Sequence, residues 1–304
     1  INTIPVTKEE MLDFIVKTTP DFEPGTKHAY SNSGYQILGL VLEKVTGKPY
    51  AQVLKERITA KLGLTDTYLA TGTIDVSKNE ALTYSNFGDG WKSVAETHPS
   101  ILYSAGAIIS TPLDLTKFIQ ALFDGKLVSK ASLDQMKLLR DGEGQGMEPF
   151  MFAGKTFYGH TGGADNYGAW LAYQPEEKLG MAYVTNAKVY PVGDIVTGVF
   201  DIYYQKPFQI PTFESVAVSQ EVLEKYVGVY SSPEAPVKFT FTRQGTTLYV
   251  QTGPQAAIPL EATTQNTFKI DNGTGTGIVI TFDVAKGQMT IKRTGGERVF
   301  TKEK

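Results

Sequence analysis

Two short clusters carry residue types that chemistry requires. Tyr30-Ser31-Asn32 sets a phenol and a carboxamide two positions apart, just ahead of a strongly periodic apolar segment. His160-Thr161-Gly162-Gly163 sets an imidazole and a hydroxyl before paired glycines. Tyrosine and histidine can hold and move protons, and amide and hydroxyl groups can bond a polar substrate. Singly, each cluster also has a plain structural reading: a tyrosine packed at a helix entrance, and a turn. Other chemistries find less support. His28, His98 and His160 are the 3 histidines, and none stands at H-x-x-x-H or H-E-x-x-H spacing, so a helix-borne metal site is not expected. Gly273-Thr274-Gly275-Thr276-Gly277 lies between two strand patterns with no helix after it, which reads as a hairpin turn rather than a phosphate loop. Neither a Walker A pattern nor a G-x-S-x-G elbow occurs. No cofactor is expected.

The elements that would carry these clusters are legible from capping and periodicity. Thr7-Lys8-Glu9-Glu10 forms a capping box that opens a helix through Val16. A second helix starts near Asn32 or Ser33, carries Ile37, Leu38, Val41, Leu42 and Val45 at helical spacing, and stops at Gly47. A third runs from about Tyr50 to Leu62, with Gly63 as its stop. Thr111-Pro112-Leu113-Asp114 combines an N-cap, a first-position proline and a first-turn acid, predicting a helix to Gly125. Residues 132–140 read as one more helix. His160 to Gly163 is expected to open a strand, followed by strands over 167–173 and 181–185 with a turn at Gln174-Pro175-Glu176-Glu177. A helix over about 192–204 comes next. From there the apolar period becomes two, with six short strands at 237–242, 246–251, 267–270, 278–282, 289–292 and 298–301 that suggest a small barrel or sandwich. The boundary between the two regions falls near Pro211 to Ser219.

Composition narrows the function classes. The chain has 304 residues, 41% hydrophobic and 20% charged, so it can bury a sizeable core without staples. With 0 Cys it has no disulfides, thiolate metal sites or cysteine nucleophile. A net charge of -3 without a basic run gives no electrostatic footprint for nucleic acid. No apolar stretch approaches the roughly 18 residues of a membrane span.

In the surroundings of the two clusters, the chain resembles the serine hydrolases related to class C β-lactamases. That group includes penicillin-binding-protein-like D-alanyl-D-alanine carboxypeptidases, D-aminopeptidases and esterases. The likeness runs from Asp21 to about Asn186. It includes Phe22-Glu23-Pro24-Gly25-Thr26, Tyr30-Ser31-Asn32-Ser33-Gly34-Tyr35, Lys61-Leu62-Gly63-Leu64-Thr65-Asp66-Thr67, Ser104-Ala105-Gly106, Ser110 to Leu115, Tyr158 to Gly163 and Val184-Thr185-Asn186. The tail resembles the lipocalin-like barrel appended to such enzymes, on signals such as Tyr226 to Tyr230. The resemblance implies an α+β fold, a β-lactamase/transpeptidase-like antiparallel sheet flanked by helices over 1–212, and a small all-β barrel over 213–304. It also implies roles. Tyr30 would move protons, Asn32 would bond the substrate amide and steady a lysine, and His160 would occupy the first place of the K-T-G element and orient Tyr30. Thr161 and Gly162 would touch substrate, the Gly163 N–H would form half of an oxyanion hole, and Asn186 would lie on the far side of the cleft. Histidine in place of lysine at 160 favours a peptidase or esterase over a true β-lactamase. A small-molecule or peptide substrate and a bacterial periplasmic or secreted location are further expectations of the resemblance. Asp165 and Asn166 are weaker candidates for ligand contact. His28 is read as a surface or capping residue, His98-Pro99 as loop, and Trp91 and Trp170 as packing residues.

The family's nucleophile is a serine followed three residues later by lysine, several tens of residues before the tyrosine. No serine of this chain has that spacing, and only 29 residues precede Tyr30. With Ile1 as first residue, the expectation is an N-terminally incomplete hydrolase whose nucleophile segment lies outside this chain. The alternatives are an inactive fragment or pseudoenzyme that binds ligands or partners through the cleft or barrel, or a nucleophile supplied by another polypeptide.

Overall fold

The computed structural model describes residues 3–86, 90–187, 192–208, 216–253, 257–270, 278–293 and 296–303. The 273–277 turn and most of the 211–219 boundary lie outside the described residues. Two compact units are present, one formed by Ile1–Tyr84 with Ser93–Ala187 and the other by Ser85–Lys92 with Lys188–Lys304.

In the first unit, the capping box forms as the sequence predicts. Thr7 and Glu10 bond each other's backbone N–H at 2.8 and 3.1 Å and start helix α1, Lys8–Val16. Helix α2, Asn32–Thr46, is capped by Ser31, whose hydroxyl accepts from the Gly34 N–H at 3.0 Å, and is stopped by Gly47 at φ 66°. Helix α3, Tyr50–Leu54, continues through a π-type turn, Lys55–Thr59, to Gly63 at φ 65°. Helix α4, Pro99–Gly106, was not legible in the sequence. His98 is its N-cap rather than a loop residue, with its ring accepting from the Ser100 N–H at 3.2 Å. Helix α5, Pro112–Phe123, begins at the predicted Thr111 cap. Helix α6 spans Lys130–Lys137 instead of 132–140, because Ser129 caps it and starts it two residues earlier and Leu138 turns extended at ψ 112°.

Four antiparallel strands follow in simple order: β1 (Glu148–Phe152), β2 (Lys155–Ala164), β3 (Tyr167–Gln174) and β4 (Leu179–Thr185). His160 to Gly163 closes β2 rather than opening it, because Lys155 to Gly159 already pair with β1. Phe157 and Tyr173 are buried in the sheet, and Phe123 of α5 packs on Tyr173 with ring centroids 4.7 Å apart. Leu122, Leu133 and Met147 form the adjoining core.

Two family-like segments far apart in sequence meet through one carboxylate. Asp114, 2% exposed, accepts from the Asp66 N–H and the Thr67 hydroxyl, both at 3.0 Å, and tethers that loop to the first turn of α5. These residues are therefore architectural. Asp114→Ala orphans two donors, and a loss of about 3 kcal/mol in urea unfolding is expected, as for other broken buried charge networks.

The second unit contains α7 (Val192–Tyr203) and α8 (Gln220–Tyr226), the latter unforeseen in the sequence and capped by Ser219. A nine-stranded sheet then runs through β5 (Gly228–Ser232), β6 (Ala235–Gln244), β7 (Thr247–Thr252), β8 (Ile258–Pro259), β9 (Glu261–Ala262), β10 (Thr267–Ile270), β11 (Ile278–Asp283), β12 (Gln288–Arg293) and β13 (Gly296–Lys302). Its two edge strands, β8 and β9, are separated only by Leu260, which brings the edges together into a nearly closed barrel. The period-two pattern puts Phe241, Ile280, Phe282, Met289 and Phe300 inside. Tyr226 of α8 stacks on Phe282 at 4.4 Å, so the lumen is filled by side chains. Burial pushes the Tyr230 phenol up to about 12. Trp91, expected to pack, is 50% exposed, whereas Trp170 packs on Phe150 at 5.1 Å.

Candidate active site

The site is assembled from the entrance of α2 and the last residues of β2. Because Ser31 is spent on capping α2, its neighbours Tyr30 and Asn32 are left on the solvent side. The Tyr30 hydroxyl donates to Asn32 Oδ1 at 3.4 Å, a long bond that leaves it available. Its ring lies 6.4 Å from the His160 ring, tilted by 38°. After His160, Thr161, Gly162 and Gly163 are all exposed along the end of β2. Tyr30, Asn32 and His160 thus come together, and Thr161, Gly162 and Gly163 continue exposed along the same strand.

Helix α4 fixes where Tyr30 stands. The Gln36 amide donates to the Ile101 carbonyl at 2.7 Å, and the Ser104 hydroxyl donates to the Tyr35 carbonyl at 2.9 Å. Gly39 lets the two helices approach so closely that a Cβ there would run into the Ser104 side chain. The Ser104-Ala105-Gly106 segment acts here as a clamp on α2.

His160 is held on both ring nitrogens. Nδ1 donates to the Thr161 carbonyl at 2.6 Å, and Nε2 faces the Glu148 carboxylate of β1 at 3.5 Å. Glu148 was not found in the sequence reading. Its signal is indirect: β1 pairs Glu148 opposite Gly159, one residue before His160, and that register is visible only once the sheet exists. A second histidine repeats the arrangement. His28 Nε2 lies 3.8 Å from Glu143 Oε2, so His28 is an exposed residue facing a carboxylate. Tyr35 joins the two sides, since burial first, and then the nearby Tyr30 and Glu143, raise its phenol above the ordinary range.

The Gly163 end of the sheet is clasped by residues 81–84 and 96–97. Asp165 turns the β2–β3 hairpin at φ 50° and accepts from the Thr97 N–H and hydroxyl, both at 2.8 Å. Tyr167 brings its hydroxyl within 2.6 Å of both the Ala81 carbonyl and Glu96. Asn186 is committed here as well: its amide donates to the Leu82 carbonyl at 2.7 Å, and its carbonyl accepts from the Tyr84 N–H at 2.9 Å. Thr185, beside it, pairs with Gly168, which pairs with Gly163, so Asn186 lies two strands away at the same end of the sheet, roughly 10 Å across. It stands apart from the Tyr30–His160 contacts. Burial and then Glu96 push the Tyr167 phenol well above its ordinary value. The fold therefore holds this proton where an unfolded phenol loses it, a stabilisation complete below about pH 10 and lost as pH rises further. Tyr167→Phe is expected to cost about 1 kcal/mol at pH 7 and to flatten the decline of melting temperature between about pH 10 and 11.

Among the described residues, no group of three or more His, Asp or Glu side chains could hold a metal ion. The chemistry on offer is proton transfer, polar contact and close backbone approach to a substrate. Two threonines do have a lysine three residues on, Thr185 and Thr301, and both threonines stand in strands.

The sequence model of the Beta-lactamase family matches residues 2–201. A penicillin-binding protein of Bacillus subtilis (strain 168) is 22% identical over 273 residues, covering 81% of this chain and 60% of that protein. The D-alanyl-D-alanine-carboxypeptidase/endopeptidase AmpH of Escherichia coli (strain K12) is 27% identical over 134 residues, 44% of this chain and 33% of that one. The crystal structure of D-amino acid amidase from Ochrobactrum anthropi SV3 superposes with TM-score 0.55 at 29% identity, covering 62% of this chain and 58% of that one. The chain thus spans less than two thirds of the length of each of these relatives.

Proposed function

The chain belongs to the Beta-lactamase family, and on that premise we propose that it carries the proton-transfer and oxyanion side of a serine hydrolase acting through an acyl-enzyme on an amide, peptide or ester. One observation carries this reading: the Tyr30 hydroxyl meets Asn32 and its ring lies 6.4 Å from that of His160, the residue that leads into the exposed Thr161-Gly162-Gly163 run. In the proposed reaction a serine oxygen adds to the substrate carbonyl carbon, and its proton passes through Tyr30 to the departing amine or alcohol. Water then splits the acyl ester by the reverse route. The Gly163 N–H supports the oxyanion, Thr161 and Gly162 hold the substrate backbone, His160 orients Tyr30, and Asn32 bonds the substrate amide. Asn186 serves the far wall by holding the 81–84 segment in place. The hydrolase region is taken as 1–212 and the barrel as 213–304. The names of the relatives, penicillin-binding protein, carboxypeptidase and amidase, support a peptidase or esterase in the bacterial periplasm or outside the cell. Among the described residues, no helix is long and apolar enough to cross a membrane.

Covalent labelling by a fluorophosphonate tests the reading on protein expressed from its complete coding sequence. A stable serine adduct together with p-nitrophenyl acetate turnover is the expected result. A second reading rests on the lack of Ser-x-x-Lys within the 304 residues: a cleft that binds without turnover. No adduct and no turnover, with ligand binding retained, would establish that reading instead.

A further inference from the structure

The turn between β2 and β3 is two residues long, Asp165-Asn166, and lies just past the glycine that the proposed reaction uses as oxyanion donor. Strand register decides where that donor points. Ala164 pairs with Tyr167 across the turn, so alternate residues of β2 exchange bonds with β3, and Gly163, opposite Gly168, is not one of them. Pro149 agrees with this parity: it has no N–H to give, and it sits opposite Tyr158, whose bonds go to β3. The Gly163 N–H therefore faces the side of β2 that β1 flanks, and β1 begins only at Glu148, opposite Gly159. The donor stands clear of both strands, so its aim depends on the turn beside it. Asp165 holds that turn at φ 50°, a left-handed conformation that residues other than glycine rarely adopt without support. Thr97 supplies the support. Its backbone N–H and its hydroxyl donate to the two Asp165 carboxylate oxygens, both at 2.8 Å.

Thr97 belongs to the other half of the site. It precedes His98, the N-cap of α4, and α4 holds α2 through the Ile101–Gln36 and Ser104–Tyr35 bonds at 2.7 and 2.9 Å. Helix α2 in turn starts at the segment that carries Tyr30. Resting on the hydrolase reading above, we infer that Asp165 and Thr97 are a positioning pair, which fixes the Gly163 N–H relative to the Tyr30 hydroxyl so that oxyanion support and proton transfer meet at one carbonyl. Both residues act through their neighbours rather than on the substrate. Glu96, beside Thr97, accepts from the Tyr167 hydroxyl at 2.6 Å, which keeps the 96–97 segment seated when the Thr97 hydroxyl alone is removed.

The test uses protein expressed from its complete coding sequence and compares kcat/KM for p-nitrophenyl acetate and p-nitrophenyl thionoacetate, in which sulfur replaces the carbonyl oxygen. Sulfur accepts hydrogen bonds weakly, so the oxygen-to-sulfur ratio reads the oxyanion donor, while any loss of folded protein cancels. Asp165→Ala is expected to lower kcat/KM about tenfold for the oxygen ester and less than about twofold for the thionoester, because the donor is displaced rather than lost. Thr97→Val should lower the ratio about threefold, since one of the two bonds remains. Thr97→Ser keeps both bonds and should hold the parent's ratio. An unchanged ratio in Asp165→Ala and Thr97→Val would make the clasp structural only and overturn the inference, with the hydrolase reading intact. So would a fall in Thr97→Ser as large as that in Thr97→Val. If Asp165→Ala does not fold, the two threonine variants decide the matter between them. No turnover of p-nitrophenyl acetate and no fluorophosphonate adduct would remove the hydrolase reading and this inference with it.

Discussion

Tyr30→Phe is expected to lower kcat/KM for any ester or amide the protein cleaves by about a thousandfold, within the usual range for loss of a positioned proton carrier. The folded state should hardly change. Tyr30 is 61% exposed, and among the described residues its hydroxyl makes only the long 3.4 Å contact with Asn32, so thermal unfolding should move by less than about 0.5 kcal/mol. Separating the two effects is what gives the variant its value. A large kinetic loss in a protein of normal stability assigns the phenol to chemistry, because the substitution removes one oxygen and retains the ring against His160. Fluorophosphonate labelling of the same variant should slow in parallel, since adduct formation also requires removal of the serine proton. Activity within a fewfold of the parent would refute the assignment and return Tyr30 to the ordinary class of exposed helix-entrance tyrosines.

Gly159→Ala is expected to be the most damaging single-methyl change in the sheet, costing about 3 kcal/mol or more in chemical unfolding. A Cβ at Gly159 would fall inside the van der Waals envelope of the Leu171 carbonyl oxygen on the neighbouring strand. That contact is with backbone in the middle of a four-stranded sheet, and neither strand can retreat without breaking the register that pairs Gly159 with Ala172 and His160 with Leu171. His160 would move with it, so activity should fall together with stability, the opposite pattern from Tyr30→Phe. Gly162→Ala provides the internal comparison. Its Cβ would meet the Ala169 Cβ at 3.2 Å, a contact that small side-chain shifts can relieve, so a stability loss below about 1 kcal/mol is expected. If Gly159→Ala unfolds at the parent's denaturant concentration, the backbone approach read at this position is not required.

Much of the local structure was legible because its causes are local. The Thr7–Glu10 box, the Thr111 cap, and the glycines at 47 and 63 specify helix ends through bonds and backbone angles a few residues apart. Helices α4 and α8 escaped notice because they are short and start at His98 and Ser219, ahead of segments with little periodicity. The end of α6 was misplaced for a similar reason. Leu138 and Leu139 continue the apolar pattern, but Arg140 closes a bridge with Glu143 and draws the chain into an extended path.

The sequence alone determined the family, the types of group at the site and the two clusters that carry them. Those depend on residue identity and on spacing within one segment, and segment spacing survives folding unchanged. Only the tertiary structure decided what each histidine faces. Glu148 reaches His160 through strand register, Glu143 reaches His28 from 115 positions later in the chain, and Asp114 gathers a loop 48 residues upstream. Coulomb interaction falls off with distance in space rather than along the chain, so the carboxylate beside each ring became readable only once the strands were paired.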